Sequence, residues 1–199
     1  MLVSAWQGKA KDEAERWPRV QSSSKHIIAK QTMSTTANRN HPVVVITGAS
    51  RGIGVSIAHS FAKAGSTLCL IARSAPELEA LAQELIRDYN IGVETWTADI
   101  SDIARVVSVT QEIETRYGRV DVLVNNAGII QFDLVENVDV HNQWRVIEVN
   151  LLGPVVLTRT LLPCILQQGI GTIISIGSRL WGGSAKYLSA YACSKTALM

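Results

Sequence analysis

The sequence predicts an α/β fold: a doubly wound parallel sheet, incomplete at its C-terminal side. Three observations carry this. From Pro42 onward, short β-branched runs alternate with stretches of helical periodicity. The runs are apolar throughout, as strands buried on both faces are. Strand–helix alternation implies parallel pairing through right-handed crossovers.

The elements follow in order. "VVVIT" (43–47) stands before a glycine and reads as a first strand. "GVSIAHSFAKAG" has helical spacing and stops on Gly65. "TLCLIA" (67–72) is a second strand. "SAPELEALAQELIRDY" opens with Ser74 and has Glu77 three residues on, the spacing of a capping box, with Pro76 tolerated in the first turn. "GVETWTA" gives a third strand and "IARVVSVTQEIETRYG" another amphipathic helix. "VDVLVN" (120–125) is a fourth strand, a long helical region covers about 142–168, and "GTIISIG" is a fifth strand. The chain has no internal repeat.

Residues 1–41 differ from the rest. They are rich in Ser, Thr, Asn and Lys and lack sustained periodicity, so a disordered N-terminal extension is expected there and one domain over 42–199. Asp12, Glu13 and Glu15 argue against a mitochondrial transit peptide, and Met33 offers an alternative start.

A chain of 199 residues suits one domain, and 47% hydrophobic residues can bury a core. The net charge of +2 leaves no nucleic-acid footprint. Residues 1–41 carry a balance of +4 and residues 42–199 one of −2. Cys69, Cys164 and Cys193 are widely spaced and form no metal motif. Their odd number, and an N-terminus that does not read as a secretory signal, point to a reducing compartment, the cytoplasm. No apolar run reaches about 18 residues, so no membrane span is expected.

"TGASRGIG" (47–54) joins a strand to a helix. Gly48, Gly52 and Gly54 let the backbone turn tightly beside a pyrophosphate, and the helix behind them aims free N–H groups at that anion. Ser50, Arg51 and Ile53 fill the same loop. The second strand ends at Ala72 and Arg73, where an NAD enzyme places a carboxylate on the ribose. Arg51 and Arg73 without that carboxylate suit a 2′-phosphate, hence NADP; Arg73 is otherwise a solvated strand end. Asp99 follows the third strand, where it either accepts from an adenine amino group or caps the next helix. In "VNNAG" (124–128), Asn125 and Asn126 offer amides and Gly128 allows close approach, though paired Asn also forms ordinary turns.

Tyr191 and Lys195 are four apart and share one helix face. A phenol has an unperturbed pKa of ~10, and a nearby ammonium favours its ionised form. Such a pair can move a proton during carbonyl chemistry. Ser178 follows the fifth strand, and the loop behind it is long enough to bring its hydroxyl beside the phenol. Asn150 lies mid-helix, where Asn is mildly unfavourable.

Together "TGASRGIG", "NNAG", Asn150, Ser178 and "YACSK" resemble the short-chain dehydrogenase/reductase superfamily over about residues 43–199. The resemblance implies a Rossmann-type sheet and hydride transfer between NADP and a carbonyl or alcohol. It implies Tyr191 as general acid/base, Ser178 as holder of the substrate oxygen, and Asn150 as the residue positioning a relay water. Lys195 would bind the nicotinamide ribose and lower the Tyr191 pKa. Ser175 is a second hydroxyl near the strand end, with Ser178 the better fit to the family spacing. Cofactor contacts would come from Gly48, Ser50, Arg51, Gly52, Ile53, Gly54, Arg73, Asp99, Asn126, Tyr191 and Lys195. Trp181, Ile129 and Ile130 fall near the expected nicotinamide and suggest an apolar substrate. The resemblance implies a homo-oligomer for full-length members, which is not expected of this chain because the usual dimer surfaces are missing.

Met199 closes the sequence shortly after Lys195, before two further strands and the substrate-covering segment that the resemblance implies. The expectation is a truncated chain, prone to aggregate and weakly active alone. The alternative reading is a non-catalytic NADP-binding remnant or fragment.

Overall fold

The computed structural model describes residues 41–132, 134–180 and 186–198. Apart from His41, the expected tail over 1–41 lies outside them, as do Trp181 and Met199. Five strands are present: β1 (Val43–Thr47), β2 (Thr67–Ala72), β3 (Val93–Thr97), β4 (Val122–Asn125) and β5 (Thr172–Ser175). Their order is β3-β2-β1-β4-β5, and every pairing is parallel. The helices are α1 (Ile53–Lys63), α2 (Ala75–Tyr89), α3 (Ile103–Tyr117), α4 (Val140–Ile147), α5 (Gly153–Gln167) and α6 (Ser189–Ala197), with a π turn, Glu148–Leu152, joining α4 to α5.

The central strands are apolar on both faces because helices cover both. Val43, Val45, Cys69 and Ile71 point to one side, where they pack with Val106, Val109, Ile113, Leu157 and Leu161 of α3 and α5. Val44, Ile46, Leu68 and Leu70 point to the other, against Ala58 and Ala62 of α1 and Leu78, Leu81 and Leu85 of α2. The period of two along each strand divides the core into these two layers.

Several local expectations change. Ser74 precedes α2 but its side chain makes no cap bond. Pro76, in the first turn, has no N–H to offer, and Ser74 lines a cleft instead. Asp99 does not cap α3. Asp102 does, accepting from Arg105 N at 3.0 Å. β4 begins at Val122 rather than Val120, because the Gln168 side chain takes both the N–H and the carbonyl of Val120.

The long helical region is continuous from Val140 to Gln167, 28 residues. No apolar run here reaches about 18 residues, yet one 18-residue window of this helix has a mean hydropathy of 1.6, so by length and composition alone the helix is long and apolar enough to cross a membrane. Arg145, Glu148 and Arg159 interrupt the sequence run, whereas the helix joins its pieces. It packs along α3 and against α6. Pro154 explains its π turn. Proline cannot donate to the Asn150 carbonyl, and Gly153 N reaches back five residues to Glu148 O.

Among the described residues, β5 has no neighbour on its far side. Ile173 is exposed on it, and Ile170 and Val155 are exposed nearby.

Gly54 is the tightest point where α1 meets the sheet. A Cβ built there would stand 2.2 Å from Gly48 O and 2.9 Å from Ala49 Cα, both backbone. Gly54→Ala should therefore destabilise the fold by roughly 1–3 kcal/mol, seen as a lower thermal midpoint. An unchanged midpoint would mean that the loop moves freely.

Candidate functional site

The strand order reverses direction between β1 and β4, and there the C-terminal strand ends open a cleft of about 330 Å³. Thr47 and Gly48 enter it from β1, Ala72 and Arg73 from β2, Asp99 and Ile100 from β3, and Asn126, Ala127, Gly128 and Ile129 from β4.

Thr47 holds the two sides of this opening together. Its hydroxyl donates to Val124 O at 3.3 Å and accepts from Asn126 N and Ala127 N, both at 3.0 Å. Asn126 Nδ2 answers by donating to Thr47 O at 2.9 Å and Gly48 O at 3.2 Å. Gly48 has φ +65°, and a Cβ on it would stand 2.8 Å from Ala127 Cα. Only glycine satisfies that conformation and that approach together. Asn126 is thus in the cleft as expected, but both its donors are engaged in holding the glycine loop.

Ser50, Arg51 and Ile53 line the cleft, with Gly52 as the residue preceding α1. Gly54 is buried beneath the loop. Arg51 and Arg73 are both exposed and lie at the same end as Ser74 and Glu77. Asp99 lines the cleft at the β3 end. Its Oδ1 accepts from Ser101 N at 3.0 Å and Ser101 Oγ at 2.8 Å, and Arg145 donates to its Oδ2. Burial works against the Asp99 charge, but the Ser101 amide and hydroxyl and the Arg145 guanidinium outweigh it and hold the carboxyl below its ordinary value.

Asn150 and Lys195 stand beside Gly128, a residue of the cleft wall. Asn150 is fully buried in the π turn. Its Oδ1 accepts from Ile129 N at 2.8 Å, and its Nδ2 donates to Ile129 O at 2.9 Å and Ser194 Oγ at 3.1 Å. Ser194 Oγ donates onward to Tyr191 O at 2.8 Å. One side chain therefore joins the loop after β4 to the helix carrying Tyr191. Lys195 is 4% exposed and donates to Ile176 O at 2.7 Å. No carboxylate pairs with it among the described residues. Burial pushes its ammonium below the ordinary value. A Cβ on Gly128 would lie 3.4 Å from Asn150 Oδ1 and 3.8 Å from Lys195 Nζ, so both groups gather beside the cleft's glycine.

Tyr191 and Ser178 are less closely engaged. Tyr191 is half-buried on α6, and Ser178 Oγ accepts from Leu180 N at 3.3 Å. Among the described residues no hydrogen bond joins Ser178, Tyr191 and Lys195 to one another. Ser175 stands in a separate groove beside Asn125 and Thr158. Ile129 lines the cleft, and Ile130 is half exposed. Sequence reasoning missed Thr47, Ser194 and Arg145. Thr47 and Ser194 were visible as residues inside the two motifs, but their partners are distant in sequence. Among the described residues, no group of three His, Cys, Asp or Glu could hold a metal ion.

The lysine gives a pH signature. Its folded value lies below the ordinary 10.5, so the unfolded chain binds this proton more tightly. Stability should rise with pH from the folded value up to about 10.5. Urea unfolding at several alkaline pH values should show this slope, and Lys195→Met should flatten it. An identical slope in the variant would show that the buried ammonium is not its source.

Comparison with known proteins agrees with this geometry. The family model described as short chain dehydrogenase matches residues 42–199. The chain is 38% identical over 172 residues to dehydrogenase/reductase SDR family member 7B of Bos taurus, covering 84% of this chain and 53% of that protein. It is 38% identical over 159 residues to 11-beta-hydroxysteroid dehydrogenase 1A of Arabidopsis thaliana, covering 79% and 45%. The chain thus spans about half the length of these relatives. Among solved structures, an alcohol dehydrogenase from Thermococcus sibiricus complexed with 5-hydroxy-NADP superposes with TM-score 0.76 at 35% identity, over 79% of this chain and 67% of that one. L-Sorbose reductase from Gluconobacter frateurii, complexed with NADPH and L-sorbose, gives 0.76 at 31% identity, over 79% and 60%. With the sheet order, the glycine loop and this match over nearly all described residues, the chain belongs to the short-chain dehydrogenase family and carries its Rossmann-type fold.

Proposed function

We propose that the chain is the nucleotide-binding and catalytic part of an NADP-dependent oxidoreductase acting on a carbonyl or secondary alcohol of a small, apolar molecule. One observation carries this reading. Lys195 is buried without a carboxylate partner among the described residues, beside Gly128 in the wall of the cleft. A buried ammonium is unfavourable for stability, and a ligand hydroxyl or phosphate there gives it a purpose.

The cleft residues fit the cofactor. The glycine loop leads into the N-terminus of α1, which has no acidic residue in its first turn, so a pyrophosphate meets free N–H groups and no opposing charge. Arg51 and Arg73 supply guanidiniums for a 2′-phosphate; among the described residues the cleft is also lined by the carboxylates Glu77 and Asp99. Two solved relatives are described in complex with NADPH or a modified NADP. When bound, the nicotinamide gives or takes the hydride.

The chain's own residues handle the proton and the geometry. Tyr191 delivers a proton to the carbonyl oxygen, or removes it from the alcohol. Ser178 holds that oxygen. Lys195 would hold a hydroxyl of the nicotinamide ribose. Asn150 joins α6 to Ile129 through its side-chain amide and would position a relay water. Ile129 in the cleft wall supports an apolar substrate. The three free cysteines accord with a reducing compartment such as the cytoplasm.

A second reading, a nucleotide-binding fragment without turnover of its own, is favoured by one observation. Ser178, Tyr191 and Lys195 share no hydrogen bond among the described residues, and misplacement of about 1 Å can lower a rate on the order of a hundredfold.

Two experiments test these readings. Titration should show NADPH binding more tightly than NADH, and Arg73→Asp should reverse that order. Equal affinities in the parent chain would remove the argument from the two arginines. In ketone-reduction assays, Tyr191→Phe should abolish nearly all turnover while NADPH affinity stays almost constant. If the parent binds NADPH without turning over, the fragment reading holds; if the phenylalanine variant stays active, the proton comes from another group.

A further inference from the structure

We infer that Arg145 is a positioning residue for the adenine half of the nucleotide: it sets the Asp99 carboxylate at the β3 end of the cleft so that this carboxylate receives the base amino group. The inference rests on the reading of the cleft as an NADP site.

The arrangement around Asp99 is closed on every side but one. Oδ1 accepts two hydrogen bonds, from Ser101 N and Ser101 Oγ, which uses its acceptor capacity. Oδ2 accepts from Arg145 Nη2. Arg145 Nη1 donates to Ser101 Oγ and has Glu148 Oε2 at 3.9 Å. One acceptor position on Oδ2 is left among the described residues. A carboxylate in this state is an acceptor only, so it selects a donor such as an exocyclic amino group.

The guanidinium is not needed to hold the loop. Ala98 N bonds to Ala72 O at 2.9 Å, Asp102 N to Asp99 O at 3.0 Å, and Gly153 lies so close to Ile100 that a Cβ on it would stand 2.5 Å from Ile100 O. Backbone contacts therefore fix the path of the chain independently of Arg145. Nor is the ion pair placed to add much stability: the Arg145 side chain is 39% exposed and that of Asp99 28%, and pairs this open to water contribute little. What Arg145 does fix is the rotation and charge of the carboxylate. The same contact ties the β3 end of the cleft to α4, which runs directly into the π turn holding Asn150.

The test reads base selectivity rather than stability. NADPH and its 6-deamino analogue, in which the adenine amino group is replaced by an oxo group, are titrated into the chain by nucleotide fluorescence. The parent should prefer NADPH by about tenfold, the scale of one hydrogen bond to a charged group. Arg145→Met should bring the ratio close to one, Arg145→Lys should restore part of it, and Asp99→Ala should match Arg145→Met with no further change in the double variant. A ratio unchanged by Arg145→Met, or an equal loss of affinity for both nucleotides, would overturn the inference. If the parent binds neither nucleotide, the NADP reading fails and this inference with it. If it binds both equally well, that reading stands and the role of Asp99 and Arg145 is refuted.

Discussion

The Thr47 hydroxyl is the joint on which the site depends. A parallel sheet that reverses its strand order must let two neighbouring loops diverge, and that divergence opens the cleft. Left alone, the two strand ends would expose unsatisfied backbone groups at the point of parting. Thr47 Oγ1 takes two backbone N–H groups from the β4 side and gives its own proton to Val124 O, while Asn126 returns two donors to the β1 side. The loops separate, yet they separate from a fixed origin. Gly48 can then turn within contact distance of Ala127 without losing its path.

A second fixed point lies beside Gly128. Asn150 belongs to a helix, yet its side chain behaves as a backbone pair for Ile129, accepting from its N–H and donating to its carbonyl. Its second donor reaches Ser194 and so α6. Asn150 lies in the π turn, where Gly153 N reaches back to Glu148 O and Pro154 has no N–H to give the Asn150 carbonyl. The amide thus joins α6, which carries Tyr191 and Lys195, to the long helix. Arg145 and Gly153 attach the same helix to the loop after β3. The long helix links the loop after β3 to the loop after β4.

Much of this was legible in the sequence because it is local. The five strands, their order of appearance and the glycine loop follow from period and punctuation, and β1 and β2 match their expected spans. What was not legible depends on pairs distant in sequence. The capping role fell to Asp102 rather than Asp99, since the Asp99 side chain turns toward Ser101 and Arg145, a partner 46 residues away. The Ser74–Glu77 spacing suggested a capping box, but Ser74 faces the cleft. The helical stretch around Asn150 reads as one long helical region over about 142–168, and the structure bears this out with one helix over Val140–Gln167; its π turn has no signature in the period. Asn150 itself was chosen by resemblance; its bracket around Ile129 has no signature in spacing.

The central claim is that the cleft and the buried ammonium form one site. A crystal structure of the chain with NADP bound tests it directly. The account predicts the pyrophosphate over the glycine loop and a nicotinamide-ribose hydroxyl about 3 Å from Lys195 Nζ. A bound nucleotide whose nicotinamide half lies away from Lys195, with the ammonium still held by Ile176 O alone, would contradict it.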